Sequence, residues 1–587
     1  MSYPQTSFWR TTVAPNSLIG KRRNTVSSVT LLYQLDVLKK TGRYDAFKLK
    51  WNAVYDEPPM VWPIPNHLFW DSDVAKWIEG ACYFLQQRSN KEIDAAVQEL
   101  VAMIHDAQQP DGYINIHFTV VEPGKRFTNL RDFHELYNAG HLIEAAISHE
   151  QYYKNGTFLH PILKYVDLLC TTFGPNPNQI HGYPGHPEIE MALLRLYTLT
   201  ENPKYLNLGR YFITERGNPR GQDGRHFFDV ESEKRGDDPN KRPAFYPESR
   251  CLWYHQAQAP LAEQQTIEGH SVRGTYLLSS VADLLRIDGN ASEPKLTEAV
   301  YRLWDNMVNC KMYITGGIGA IKQWEGFGPN YFLPQGTDEG GCYSETCAAI
   351  GVMMFAERML QLDLDAKFAD VMELCFYNAV LTAMSHDGRR FTYENQLASS
   401  EKNLSQREEW FTVACCPPNV LRLLGQIGGY IWTYQTQSTD EHATISVHLY
   451  ISSKVQLEVG GGIIELEQES NWPMEGEIKF VLRRQSTTEI DIKLRIPAWA
   501  KVYNLSPECG EATTHKGYLK IPSAWLRNNN TFTISIPLEA RLVTPHPFTN
   551  QNVIAIARGP VIYCAEDVDN TWVKDHFKVF NMEQKHQ

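Results

Sequence analysis

The apolar residues of this chain repeat at two different periods, and the single change between them, near residue 434, constrains the fold more than any other feature. Upstream the spacing is helical. Ile93, Val97, Leu100, Val101 and Ile104 form a stripe along one side of a helix. The same reading predicts helices near 27–41, 70–88, 91–108, 134–150, 157–172, 186–199, 203–215, 268–286, 293–310, 345–362, 365–384 and 417–431. About twelve helices are what a barrel of six helical hairpins needs, and a stacked open solenoid is the other arrangement. Downstream of the polar stretch Tyr434–Asp440, alternation of period two takes over. Ile445, Val447 and Leu449 form one run; Ile490, Ile492, Leu494 and Ile496 another; Phe532, Ile534 and Ile536 a third. Half-buried strands give this pattern, and Gly, Pro and Asn turns between them suggest a β-sandwich of roughly 100 residues. The expected fold is therefore mainly α with a C-terminal β part. Its expected divisions are a helical domain over 1–434, a β-sandwich over 435–545 and a C-terminal strand segment over 546–587.

At 587 residues the chain is too long for one ordinary core, so roughly two to four domains are expected. Its 56 basic residues face 68 acidic ones, a net charge of −12, and this balance gives nucleic acid no basic surface to bind. The N-terminus lacks the apolar run of a secretory signal, and no stretch of the sequence predicts a transmembrane helix. Eleven cysteines, an odd number scattered over a long chain, point to reduced thiols and a cytoplasmic location. Aromatic residues make up 12% of the chain, which suits a sugar-binding cleft and suits a large core equally well.

Two short peptides carry chemistry. Glu345-Thr346-Cys347 and Cys415-Cys416-Pro417-Pro418 offer three thiols and a carboxylate, a complete tetrahedral set for zinc. A site closed by four protein ligands suggests structure, unless a ligand thiolate is itself the nucleophile, since coordination keeps it ionised at neutral pH. Adjacent cysteines are unlike the C-x2-C pairs of zinc ribbons. They can share one ion only where the backbone bends, and the two prolines favour an extended or turning path. Spacing alone leaves the zinc site and a set of buried, inert cysteines both open.

The segments HELYNAGHLIEAA (134–146), GHPEIEMALLRLY (185–197), GHSVRGTYL (269–277), YITGGIG (313–319), YSETCAAIG (343–351) and VACCPPNVLRLL (413–424) resemble the glycoside hydrolase family of β-L-arabinofuranosidases. The resemblance runs to about residue 565. It implies an (α/α)6 barrel followed by a β-sandwich, with Zn2+ held by Glu345, Cys347, Cys415 and Cys416. It also implies Cys415 as the nucleophile and a separate Glu as acid/base. By its place in the motif that Glu is Glu325, and Asp338 and Glu339 are weaker substitutes. A retaining glycosidase needs such a pair across the scissile bond, and flanking aromatic residues such as Trp324 and Phe327 are expected to desolvate Glu325 and raise its pKa. Trp324 departs from the small residue usual in the family, which bears on the leaving-group side. By motif the sugar contacts would be His141, His186, His270, Glu373 and Tyr393, with Gln34 and Phe69 from the first loops. Each histidine also has a plain reading, as a cap on neighbouring backbone. The family carries more sequence after the strand resembling Ile554–Pro560, so a second sandwich, and any homodimer interface built from it, is expected to be incomplete or missing.

Three functions fit these residues. The first is an exo-acting retaining hydrolase that releases terminal β-L-arabinofuranose from a small-molecule or oligosaccharide substrate. The second applies the same chemistry to a different furanoside or an acidic branched sugar. The third is a zinc-stabilised carbohydrate-binding or scaffold protein without turnover.

Overall fold

The computed structural model describes residues 4–221, 224–289, 292–336, 341–399, 404–436, 441–566 and 568–570. Asp338 and Glu339 lie outside the described residues.

Six helices, α1 (Trp70–Leu85), α2 (Glu135–Tyr153), α3 (Ile189–Thr200), α4 (Ser271–Asp288), α5 (Thr346–Leu362) and α6 (Cys416–Gln426), pack each against the next, and α6 returns to α1 to close a ring. Their burial shows why they lie inside: every residue of α1, of α6 and all but the last residue of α5 is buried. A helix shielded on all sides needs no polar face. Further helices alternate with these along the chain, at Lys91–Ala107, Leu159–Thr172, Pro203–Glu215, Pro294–Cys310 and Ala366–Cys375, and they bury one side only. Ile93, Val97, Leu100, Val101 and Ile104 are the buried stripe of Lys91–Ala107, which starts where the Asn90 side chain accepts the Glu92 and Ile93 N–H groups. Leu18–Thr25 and Phe227–Arg235 are helices that the periodicity does not predict; Leu18–Thr25 has no amphipathic stripe to reveal it.

The C-terminal part is β. One sheet has the order β1 (Thr11–Val13), β4 (Ser453–Val459), β5 (Gly462–Ser470), β6 (Glu477–Arg484), β11 (Thr531–Ser535), β8 (Asn504–Ser506). A second has the order β2 (Trp432–Thr436), β3 (His442–Val447), β7 (Glu489–Arg495), β10 (Tyr518–Ile521), β9 (Thr513–His515), with β3 and β7 parallel. A third holds β12 (Ala540–Val543), β13 (Ala555–Arg558) and β14 (Val561–Tyr563). The alternating residues Ile445, Val447, Ile490, Ile492, Leu494, Phe532 and Ile534 are all buried. Two features cross the expected boundary at 434. Strand β2 begins at Trp432, and Thr11–Val13, from the start of the chain, pairs antiparallel with Ser453–Val455 as the edge of the first sheet.

Glu373, expected by motif as a sugar contact, sits at this junction. Its carboxylate is buried, accepts from Trp472 Nε1 at 2.9 Å and lies 2.7 Å from an Arg495 guanidinium nitrogen. The Ala366–Cys375 helix turns this face to the sheets, and Asp370 meets the same arginine at 2.6 Å. A buried carboxylate held by an arginine and an indole joins helix to sheet.

Candidate active site

The four zinc-type donors meet at the N-termini of two neighbouring helices of the ring. Glu345 caps α5 and Cys347 lies in its first turn; Cys415 caps α6 and Cys416 is its first residue. The prolines that suggest a non-helical path sit in the first turn of α6, where a missing N–H leaves no bond unmade. Both helix dipoles point their positive ends at the cluster, favouring thiolate and carboxylate there. Cys415 Sγ lies 3.3 Å from Glu345 Oε1 and 3.7 Å from Cys416 Sγ, and Cys347 Sγ lies 3.4 Å from Cys416 Sγ. All four donor atoms fall within 4.8 Å of one another, so the group is able to hold a metal ion. Glu345, Cys347 and Cys416 are buried, whereas Cys415 is half-buried.

Packed this closely, the four acids cannot all ionise unaided. Burial pushes Cys347 up, but its hydrogen bonds with Cys415 and Cys416 outweigh that and bring it down to about 6. Cys415 is pushed up by its bond with Cys347; Cys416 and Glu345 are pushed well up by burial and by the neighbouring thiols. One thiolate therefore leaves its neighbours protonated, and a cation is what would let the others ionise.

Glu325 stands beside this cluster, its nearest carboxylate oxygen within 4.8 Å of donor atoms of both His270 and Glu345. Its backbone is fixed in the left-handed region at φ 51°, and its carbonyl accepts from Ser271 N at 3.1 Å and Ser271 Oγ at 2.9 Å. Cys342 and Ser344, also at positive φ, lie on the adjoining segment. Such backbone persists only where the surroundings over-determine it, and it gathers at functional sites. Gly326 makes the loop approach possible, since a Cβ there would stand 1.9 Å from the Gly269 carbonyl oxygen.

His270 fills the capping role and also reaches Glu325. It caps α4, its Nδ1 accepting the Val272 and Arg273 N–H groups at 3.2 and 3.5 Å. Nε2 must then carry the proton, and it lies 3.0 Å from Glu325 Oε2. Burial raises the pKa of Glu325, but the His270 hydrogen bond, the nearby Arg273 charge and a Tyr343 hydrogen bond outweigh it and hold the carboxyl below its ordinary value. This reverses the expected upward shift. Trp324 donates to the Phe327 carbonyl at 3.0 Å and meets Trp253 edge-on at 5.3 Å.

The other candidates divide. Tyr393 Oη lies 3.1 Å from Cys415 Sγ, held there because its carbonyl accepts the Thr346 N–H at 3.0 Å. His186 bonds through Nδ1 to the Pro187 carbonyl at 2.7 Å, and its ring centroid lies 5.7 Å from that of His270 and 4.4 Å from that of Tyr137. Phe69, half-buried, packs edge-on against His134, which packs against Tyr137. His141 is fully buried beneath Tyr137 with Nδ1 3.1 Å from Glu188 Oε1. Gln34 is buried on an outer helix, and among the described residues neither amide atom makes a hydrogen bond. Sequence reasoning did not single out Lys76, Tyr137, His134, Arg273 or Tyr343. The last four stand inside the quoted motifs, so position was available as a signal; Lys76 had none.

A family description of the β-L-arabinofuranosidase GH127 catalytic domain matches residues 12–429, with the GH127 middle domain at 444–538 and the family 127 C-terminal domain at 540–587. The chain belongs to glycoside hydrolase family 127. Among its GH127 relatives is a non-reducing end β-L-arabinofuranosidase of Bifidobacterium longum subsp. longum, 34% identical over 526 residues, a span of 86% of this chain and 76% of the relative. A GH127 β-L-arabinofuranosidase from Geobacillus stearothermophilus T6 has a similar structure, with TM-score 0.84 and 34% identity over 95% of this chain and 87% of that one. A second solved GH127 β-arabinofuranosidase gives a TM-score of 0.80 and 32% identity over 96% and 85%. The GH127 chain described here is a glycosidase. Among its described residues no helix is long and apolar enough to cross a membrane.

Proposed function

We propose that this protein is an exo-acting β-L-arabinofuranosidase that hydrolyses terminal β-L-arabinofuranosides with retention, using Cys415 as nucleophile and Glu325 as acid/base. The observation that carries this reading is that Cys415, alone of the four clustered donors, is only half-buried, and stands on the side where Tyr393 meets it. The named activity of the Bifidobacterium relative supplies the sugar. We read the closed helical ring as the inner layer of an (α/α)6 barrel over 1–434, and the first two sheets as a β-sandwich over 435–545, with 546–587 as a further strand segment.

Glu345, Cys347, Cys415 and Cys416 would hold Zn2+, and their donor set, unable to ionise together without a cation, fits it. Bound there, zinc would keep a thiolate ionised and stabilise its departure. In the first step protonated Glu325 gives its proton to the leaving oxygen while Cys415 Sγ attacks the anomeric carbon, forming a glycosyl thioether and releasing the aglycone. In the second, the Glu325 carboxylate takes a proton from water, the water oxygen attacks the same carbon, and the C–S bond breaks. His270, neutral and donating from Nε2, favours the carboxylate form that the second step requires. Two inversions leave the configuration unchanged. His186, Phe69, Tyr393, Gln34 and His141 remain the proposed surroundings of the sugar. Eleven free cysteines support a reducing, cytoplasmic setting.

The decisive experiment is turnover of an aryl β-L-arabinofuranoside with the product anomer followed by NMR. Retention, lost turnover in Cys415→Ser and lost turnover of poor leaving groups in Glu325→Gln support the mechanism. Inversion, or full activity in Cys415→Ser, overturns it.

A further inference from the structure

Gln551 lies on the connection between β12 and β13, in the strand-built part of the chain, yet its side chain reaches the loop that follows Glu325. Its Nε2 donates to the Leu333 carbonyl at 2.5 Å, and its Oε1 accepts from Gln335 Nε2 at 3.0 Å. A carbonyl only accepts, so Leu333 fixes which way the Gln551 amide points. The same connection grips the loop a second time. His546 stacks on Tyr331 with ring centroids 4.4 Å apart, and Phe548 meets that ring edge-on at 5.3 Å. Tyr331 is itself held at φ 65°, its N–H bonded to the Cys310 carbonyl at 2.7 Å.

The Leu333 side chain packs with Ile321 and Leu397 on a small buried cluster of Tyr313, Ala320 and Cys342. Both parts of the proposed site rest on this cluster. Ala320 and Ile321 lead into the turn that carries Glu325, closed by reciprocal bonds between Ile321 and Gly326 at 2.9 and 3.0 Å. Cys342 leads into the segment that bears Glu345, and there the Ser344 N–H donates to the Gly319 carbonyl at 2.7 Å. The loop is tied down beside Leu333 as well, since the Pro334 carbonyl accepts the Tyr313 hydroxyl at 2.9 Å and the Gln335 carbonyl accepts the Leu397 and Ala398 N–H groups, each at 2.9 Å. A Cβ on Gly341 would stand 2.1 Å from the Pro334 ring, so the two segments meet without slack. A shift of Leu333 is therefore passed to the Glu325 turn.

We propose that Gln551 is a positioning residue for the hydrolytic reaction, tying Leu333 down so that the turn holds the Glu325 carboxyl where the leaving oxygen departs. This rests on the reading of Glu325 as acid/base. Gln551 acts through Leu333, so its loss leaves every reacting group in place chemically and alters only where the carboxyl stands. Misplacement by about 1 Å is enough to cost a reaction step about a hundredfold.

The test uses the full chain and compares wild type, Gln551→Ala, Gln551→Glu and Glu325→Gln on methyl and 2,4-dinitrophenyl arabinofuranosides, reading kcat/KM and the thermal midpoint. That ratio reports the first step, in which methoxide needs a proton to leave and dinitrophenolate does not. In Gln551→Ala it falls about fivefold or more for the methyl glycoside and less than about twofold for the dinitrophenyl one, at a thermal midpoint close to that of wild type. Gln551→Glu, of the same shape but with no N–H to give Leu333, shows the same selective loss. If the Gln551 variants do not fold, His546→Ala carries the test by removing an exposed ring from Tyr331, with a loss of about twofold or more confined to the methyl glycoside. Equal losses on the two substrates, or none in the folded variant, overturn the proposal. A Glu325→Gln variant without the selective loss overturns the acid/base reading and this proposal with it, whereas a selective loss there and none at Gln551 overturns this proposal alone.

Discussion

The Tyr393 hydroxyl stands 3.1 Å from the sulfur of Cys415, on the thiol of the cluster that is only half-buried. A phenol donating to a thiolate steadies it whenever the sulfur is free of the sugar. Tyr393→Phe therefore lowers kcat about ten- to a hundredfold, the worth of a hydrogen bond to a charged group, and leaves the thermal midpoint nearly unchanged. Steady-state kinetics on an aryl arabinofuranoside checks this, and a variant of wild-type kcat refutes it.

Trp324 neighbours Glu325, the proposed acid/base, which would mark where the leaving oxygen lies. With Trp253, edge-on at 5.3 Å from ring to ring, it would wall the leaving-group side. Trp324→Ala is expected to raise KM about tenfold for a disaccharide and to change it little for a methyl glycoside, a difference on the scale of one aromatic contact. Equal effects on both substrates would place the indole in loop packing alone.

Glu373 gives a prediction of the opposite kind. Replacing it with alanine removes one of the two carboxylates on Arg495 and leaves Asp370, costing about 1–3 kcal/mol, the worth of a buried hydrogen-bonded charged partner. The thermal midpoint falls, while KM of the protein that remains folded stays within about twofold of wild type, since no sugar contact is lost. A large KM change at unaltered stability would return Glu373 to the sugar site.

Stability also depends on pH through Glu135. Burial, opposed by hydrogen bonds from Tyr113 and the Phe127 N–H, pushes its pKa up to about 8, against about 4.3 for an unperturbed side chain. The folded protein therefore holds a proton that the unfolded chain has released, and this contribution is lost as pH rises toward 8, by up to about 1.4 kcal/mol per pH unit. Glu135→Gln keeps the neutral form at every pH. Its thermal midpoint should gain on wild type steadily between pH 6 and 8, and parallel curves would refute the assignment.

The helices were legible because each outer one must show an apolar stripe and each inner one an apolar surround; Ile93 to Ile104 is an instance of the first. The cysteine cluster was only half legible. Glu345 and Cys347 do not show in spacing that they will face Cys415 and Cys416, because what joins them is the closure of a ring in which α5 and α6 are neighbours. The resemblance supplied that step. The Arg495 contact of Glu373 was not legible, because a glutamate in a motif reads the same whether it faces a sugar or an arginine. Lys76 was invisible for a related reason, since a lysine within a helical pattern reads as solvated until its partner is seen to be Tyr137. Leu18–Thr25 escaped because its polar sequence carries no stripe.

Thr11–Val13 makes the helical and strand-built portions of this enzyme inseparable by simple scissors. An engineer who trimmed away everything after the ring to obtain a minimal hydrolase would leave that short segment with bare N–H and C=O groups and no neighbour to meet them. Swapping in the strands of a relative would succeed only if the donor brought its own opening residues too. What reads along the sequence as two consecutive modules is thus, mechanically, one object closed by its own beginning.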